Sequence, residues 1–113
     1  MKINITTERL DKVKTLLEMY EADTENFLNA MPTREKYAML ALVFMHNQGY
    51  EYYEEAYDAV TRKVNAQELT KYLMDYPFLW CHLQDIVQIV SRHGGWDAFQ
   101  VVWVSHHEEK EED

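Results

Sequence analysis

The sequence predicts an all-α protein, a compact bundle of five to six short helices around a central apolar helix at about residues 33–48. Apolar residues recur at helical spacing along most of the chain. The chain has only 3 glycines and 2 prolines, fewer than a fold of many short strands needs for its turns. Its 113 residues are 47% hydrophobic and 27% charged, a balance typical of one globular domain.

The N-terminal part of the chain predicts a capped helix. Thr6 is expected as the N-cap of a helix over about residues 7–22, with Ile5 and Leu10 in the positions of a hydrophobic staple. A second, shorter helical segment is expected to end at Pro32.

The central helix is predicted from a segment that is apolar on every side. Residues 38–45 read Ala-Met-Leu-Ala-Leu-Val-Phe-Met, and a helix with no polar face is usually surrounded by its neighbours. Thr33 is expected to cap this helix, and Gly49 can supply the left-handed residue at its C-terminus.

The next helix is predicted to have two faces. Its apolar face carries Tyr53, Ala56, Tyr57, Val60 and Val64. Its other face carries four carboxylates, which we call the acid stripe: Glu51, Glu54, Glu55 and Asp58. Asn65, with Glu68 three residues later, is expected to cap the helix that follows.

The C-terminal third predicts one long helix and one ambiguous element. Pro77 is expected to start a helix with a broad apolar face that includes Phe78 and stops at Gly94-Gly95. The spacing of the aromatic residues after this stop favours a helix, but residues 100–104 would also suit a strand paired with residues 3–5. We expect one helical domain over residues 1–107 and a disordered acidic tail over residues 108–113.

Composition argues against several classes of function. With 11 Lys and Arg against 20 Asp and Glu, the net charge is -9, so direct binding to nucleic acid is not expected. The single cysteine, Cys81, cannot form an internal disulfide. The chain begins without a signal-peptide pattern, and its longest apolar run is less than half a membrane span, so a cytoplasmic location without a membrane partner is expected.

The sequence contains no recognisable catalytic or metal-binding motif. None of the five histidines pairs with another at one helical turn, and His82 and His93 are three turns apart. Neighbours such as Cys81 and His82 point in different directions on a helix and cannot form a catalytic dyad. We therefore expect no enzyme activity, no metal and no cofactor.

The acid stripe is the leading candidate for a partner-binding surface. Carboxylates four residues apart on a helix repel each other and destabilise it. A face that is only solvated does not require such an arrangement. Tyr50 and Tyr52 lie beside it in the sequence, and tyrosine is favoured at protein interfaces. A second acidic group, which we call the first-helix acids, contains Glu18, Glu21 and Glu25. The alternative is that both acidic groups are solvated faces.

These features favour a small acidic protein that binds and inhibits another macromolecule. The expected partner is a protein with a basic surface, such as a nucleic-acid-binding enzyme, and a homodimer is left open. The most economical version is a phage or mobile-element inhibitor of the anti-restriction or anti-CRISPR type. The alternatives are an antitoxin or immunity-type neutralising protein, or a non-enzymatic helical adaptor in a larger complex.

Overall fold

The computed structural model describes residues 3, 5–19 and 21–100, of which 19, 21, 97 and 100 are described by their backbone alone. All regular secondary structure in this part is helical, which confirms the predicted all-α bundle. The helices are α1 (Thr7–Met19), α2 (Glu21–Ala30), α3 (Thr33–Gln48), α4 (Tyr53–Lys63), α5 (Leu69–Asp75), α6 (Leu79–Arg92) and α7 (Trp96–Gln100), with a 3₁₀ turn at Ala66–Glu68.

Helix α3 lies at the centre of the bundle, as predicted. Every residue from Ala38 to Met45 is buried, and the helix packs against α4, α5 and α6. It ends at Gly49, which has a φ of 74° and therefore takes the left-handed conformation that glycine adopts without steric cost. At the other end Pro32 holds the N-cap position, so Thr33 is the first helical residue rather than the cap.

The start of α1 is capped as predicted. The hydroxyl of Thr6 accepts a hydrogen bond from the Arg9 N–H at 3.2 Å, and both Ile5 and Leu10 are buried. The described residues give α1 as Thr7–Met19 and α2 as Glu21–Ala30, and residue 20, on which the expected end of the first helix at about residue 22 depends, lies outside the described part. Helix α2 packs against both α1 and α5.

The turn between α4 and α5 is held by the backbone. Val64 and Leu69 are buried on either side of it. Asn65 makes no side-chain capping bond, and the Glu68 N–H instead donates to the Asn65 carbonyl oxygen at 3.0 Å. A single 3₁₀ turn therefore replaces the predicted first turn of the helix.

The turn between α5 and α6 differs from the prediction. Helix α6 begins at Leu79 rather than at Pro77, and Phe78 precedes it with a positive φ of 56°. Phe78 was expected in the core, but its side chain is 73% exposed. Its left-handed backbone turns the chain between α5 and α6, so the helical spacing does not apply to Phe78. Within α6 the predicted apolar face is correct, with Leu83 and Ile86 in the core.

The last described element is helical. Helix α7 covers Trp96–Gln100 and buries Phe99, which agrees with the helical interpretation of this segment. Residues 101–104 of the alternative strand, the domain limit at residue 107 and the acidic tail at 108–113 lie outside the described residues. Ile3 and Ile5 are buried without forming a strand. None of the described helices is both long enough and apolar enough to cross a membrane.

Candidate functional site

The acid stripe lies at the start of α4, but not all of its four residues belong to the helix. Glu51 precedes the helix, which begins at Tyr53, so the predicted i,i+4 repulsion between Glu51 and Glu55 does not occur within a helix. Glu54 and Glu55 occupy the first turn, where the helix dipole favours negative charge. The acid stripe therefore destabilises α4 less than the sequence predicts.

The carboxylates of the acid stripe also differ in how accessible they are to a partner. Asp58 forms an ion pair with Arg62, with its Oδ2 at 2.7 Å from the arginine Nη2. Glu54 is half-buried, whereas Glu51 and Glu55 are exposed. The negative charge most accessible to a partner is that of Glu51 and Glu55.

The two tyrosines beside the acid stripe do not both face solvent. Tyr52 is only 5% exposed, so little of its side chain is accessible to a partner. Its backbone is extended, with φ and ψ of -117° and 138°, because it holds the N-cap position of α4, and helical spacing therefore does not describe its direction. Tyr50 is half-buried and stacks on Phe44, with ring centroids 6.3 Å apart.

The first-helix acids lie on α1 and α2, on either side of residue 20. Glu18 is on α1 and is 4.0 Å from the Lys14 ammonium, and Glu25 is exposed on α2. Glu21 is the first residue of α2, and its side chain lies outside the described part of the structure. The charge of Glu18 is thus partly balanced, which leaves Glu25 as the more accessible carboxylate.

The largest departure from the sequence-based expectation is an exposed aromatic pair at the α5–α6 turn, which we call the aromatic corner. It consists of Phe78, which is 73% exposed, and Trp80, which is 41% exposed. No other large hydrophobic side chain in the described part is exposed. An open groove of about 470 Å³ lies along the adjacent α5 and is lined by Glu68, Lys71, Tyr72, Asp75, Tyr76 and Pro77.

The aromatic corner and the start of α4 lie at the same end of α3. The Phe44 ring, in the last two turns of α3, contacts Tyr50 at 6.3 Å and Tyr76 at 6.2 Å between centroids. Tyr50 immediately precedes Glu51, and Tyr76 is two residues before Phe78. Residues that adjoin the acid stripe and the aromatic corner in the sequence therefore pack against the same buried ring.

A cluster that sequence spacing missed lies beside this end. His46, at the end of α3, and His82, at the start of α6, face each other with their Nδ1 atoms 3.3 Å apart; we call them the histidine pair. Asp85 Oδ2 lies 3.6 Å from His46 Nε2. Burial lowers the pKa of His82, and so does neighbouring His46, while Asp85 opposes both effects.

Polar contacts connect the histidine pair to the α5–α6 turn. The Asn47 amide donates to the Tyr76 hydroxyl at 2.9 Å, and the rings of Tyr76 and His82 are 5.9 Å apart. The backbone N–H of His82 donates to the Phe78 carbonyl oxygen at 3.2 Å, which is an ordinary bond of the first helical turn. Cys81 is half-buried. Within the described ranges, no group of three or more His, Cys, Asp or Glu is arranged to hold a metal ion.

No protein-family model, curated protein or solved structure matches the chain.

Proposed function

We propose that the protein binds a partner protein through the aromatic corner and inhibits it by covering a positively charged surface. The observation that carries this proposal is the exposure of Phe78 and Trp80, which lie two residues apart in the chain at one turn. In this proposal the protein has no catalytic role of its own.

Large aromatic residues are the side chains that contribute most to protein–protein binding. Tryptophan is enriched at interface positions that carry most of the binding energy, and aromatic residues in general are enriched in interfaces. Phe78 also holds a left-handed backbone, which costs a residue with a Cβ about 1–2 kcal/mol. Packing of the bundle does not require a phenylalanine at this turn, since most of the side chain remains in water.

The charge of the protein supports a partner with a basic surface. The net charge is -9, and Glu51 and Glu55 are exposed at the end of the molecule that carries the aromatic corner. Such a field speeds association with a positively charged partner and disfavours acidic ones. Proteins that bind nucleic acid present such surfaces, so an inhibitor of the anti-restriction or anti-CRISPR type remains the version we propose.

The first experiment tests the aromatic corner. A partner is captured from a lysate of the natural host, and its affinity is then measured for wild type and for Phe78→Ser, Trp80→Ser and Gln88→Ser. The first two variants should bind at least about tenfold more weakly, whereas Gln88, exposed on the same helix, serves as the matched control and should bind as wild type does. Equal binding by all four proteins would show that the aromatic corner is not the contact surface.

The second experiment tests the electrostatic part. Glu51→Lys/Glu55→Lys is compared with Glu18→Lys/Glu25→Lys, which changes the net charge by the same amount on α1 and α2. The first double variant should lower the association rate and weaken its dependence on salt. A larger effect of the second double variant would assign the contact to the first-helix acids. If the partner keeps its full activity in the complex, the protein is an adaptor and the inhibitory part of the proposal is wrong.

A further inference from the structure

The Nδ1 atoms of the histidine pair are separated by the distance expected of two ligands on one metal ion. Zinc binds imidazole nitrogen at about 2.0–2.1 Å in tetrahedral geometry, which places two ligand nitrogens roughly 3.3–3.4 Å apart. The Nδ1 atoms of His46 and His82 are 3.3 Å apart. The same separation also permits a hydrogen bond between the two rings, so the pair can share a proton when no metal is bound.

Asp85 prepares His46 for this role. Its Oδ2 lies 3.6 Å from the Nε2 of His46, on the opposite side of the ring from the facing nitrogens. A carboxylate in this position favours the tautomer with the proton on Nε2, which leaves the lone pair of Nδ1 free. Metal-binding histidines are commonly oriented by a carboxylate in the same way.

We propose that His46 and His82 form a two-histidine site for a transition-metal ion such as Zn²⁺, with Asp85 as the residue that orients His46. Water completes the coordination, since the His46 and Asp85 side chains are 28% and 54% exposed. The inference rests on the geometry of the histidine pair and is independent of the proposed partner.

The protonation of the site is compatible with metal binding. The lowered pKa of His82 keeps its ring neutral at neutral pH, and neutral imidazole is the form that binds metal. Without metal, the Nδ1–H of His82 can donate to Nδ1 of His46. When the metal binds, the nitrogen–metal bonds replace this hydrogen bond and the proton of His82 moves to its Nε2 by exchange with water.

The donor set also determines which metals the site accepts. Imidazole suits Zn²⁺, Cu²⁺ and Ni²⁺, whereas Mg²⁺ and Ca²⁺ require oxygen ligands. The two ligands come from the end of α3 and the start of α6, so a bound ion would fasten these two helices together. Metal binding should therefore stabilise the fold as well as occupy the site.

The test uses the full chain without an affinity tag and Zn²⁺ as the probe, with Mg²⁺ as the control ion. At a Zn²⁺ concentration one hundredfold above Kd, the melting temperature should rise by about 10 °C, and Mg²⁺ should not change it. His46→Gln and His82→Gln should each lose this shift, and Asp85→Asn should bind Zn²⁺ about tenfold more weakly. His93→Gln, which changes an exposed histidine outside the pair, should behave as wild type does.

Nitrogen-15 chemical shifts of the histidine rings identify the ligand atoms and separate this site from other histidines. Zn²⁺ should shift Nδ1 of His46 and His82 and leave His93 unchanged. The proposal is overturned if Zn²⁺ leaves both rings unchanged, in which case the pair only shares a proton. It is also overturned if His106→Gln/His107→Gln abolishes Zn²⁺ binding while His46→Gln retains it.

Discussion

The left-handed conformation of Phe78 predicts an unusual order of stability among its variants. With a φ of 56°, any residue that carries a Cβ costs about 1–2 kcal/mol at this position. Glycine avoids this cost but loses about 0.5–1 kcal/mol more backbone entropy on folding. Phe78→Gly should therefore be more stable than Phe78→Ala by about 0.5–1 kcal/mol.

Comparing Phe78→Gly with Phe78→Ala removes the contribution of the phenylalanine ring to the stability difference. Phe78 is 73% exposed, and both substitutions remove the same remaining contacts. For a chain of this length, 1 kcal/mol corresponds to about 4 °C, so the two melting temperatures should differ by about 2–4 °C. Thermal unfolding followed by circular dichroism resolves this difference.

A matched pair of substitutions in the middle of α6 provides the control. At Gln88, which is exposed and helical, Ala should be more stable than Gly by about 1 kcal/mol, the reverse of the order at Phe78. The reasoning is refuted if Phe78→Ala is as stable as Phe78→Gly, because the backbone of the turn would then not be strained.

The remaining predictions concern the core and the histidine pair. Leu40→Ala and Phe44→Ala should each destabilise the protein by about 2–5 kcal/mol, because both side chains are almost fully buried in α3; urea unfolding measures this, and a loss below about 1 kcal/mol would contradict the central role of the helix. Burial and His46 lower the pKa of His82 below its ordinary value of 6.5, so the unfolded state binds the proton more readily and stability should fall as the pH drops below about 6.5. His82→Gln should reduce this loss of stability when the free energy of unfolding is compared at about pH 7 and about pH 5. If the variant loses as much stability as wild type, other groups cause the loss.

The parts of the fold that local patterns control were predictable. The Thr6 cap, the apolar segment at residues 38–45 and the left-handed Gly49 follow from capping preferences, uniform apolarity and the absence of a Cβ, none of which needs knowledge of the tertiary fold. Each of these features was recognised from a few neighbouring residues.

The candidate site was less predictable, because its residues lie where helices begin and end. Tyr52 and Phe78 both immediately precede a helix, so an error of one or two residues in the helix start reverses the expected direction of the side chain. His46 and His82 are 36 residues apart, and only the packing of α3 against α6 brings them together. The glycine-like conformation of Phe78 has no signal in the sequence, since phenylalanine rarely adopts it.

The features that the bundle does not need are concentrated at one end of α3. Phe78 holds a strained backbone and exposes an aromatic ring, and His82 lies buried enough for its pKa to fall. They lie four residues apart at the start of α6, where the backbone N–H of His82 donates to the Phe78 carbonyl oxygen in an ordinary helical hydrogen bond. A sequence under selection for stability alone would replace Phe78 with glycine and His82 with an apolar residue, since both changes relieve a cost. The presence of both residues in one hydrogen-bonded turn therefore favours a function at this end of the molecule. The acid stripe alone is a weaker candidate, because its charges lie at the start of a helix, where the helix dipole favours negative charge.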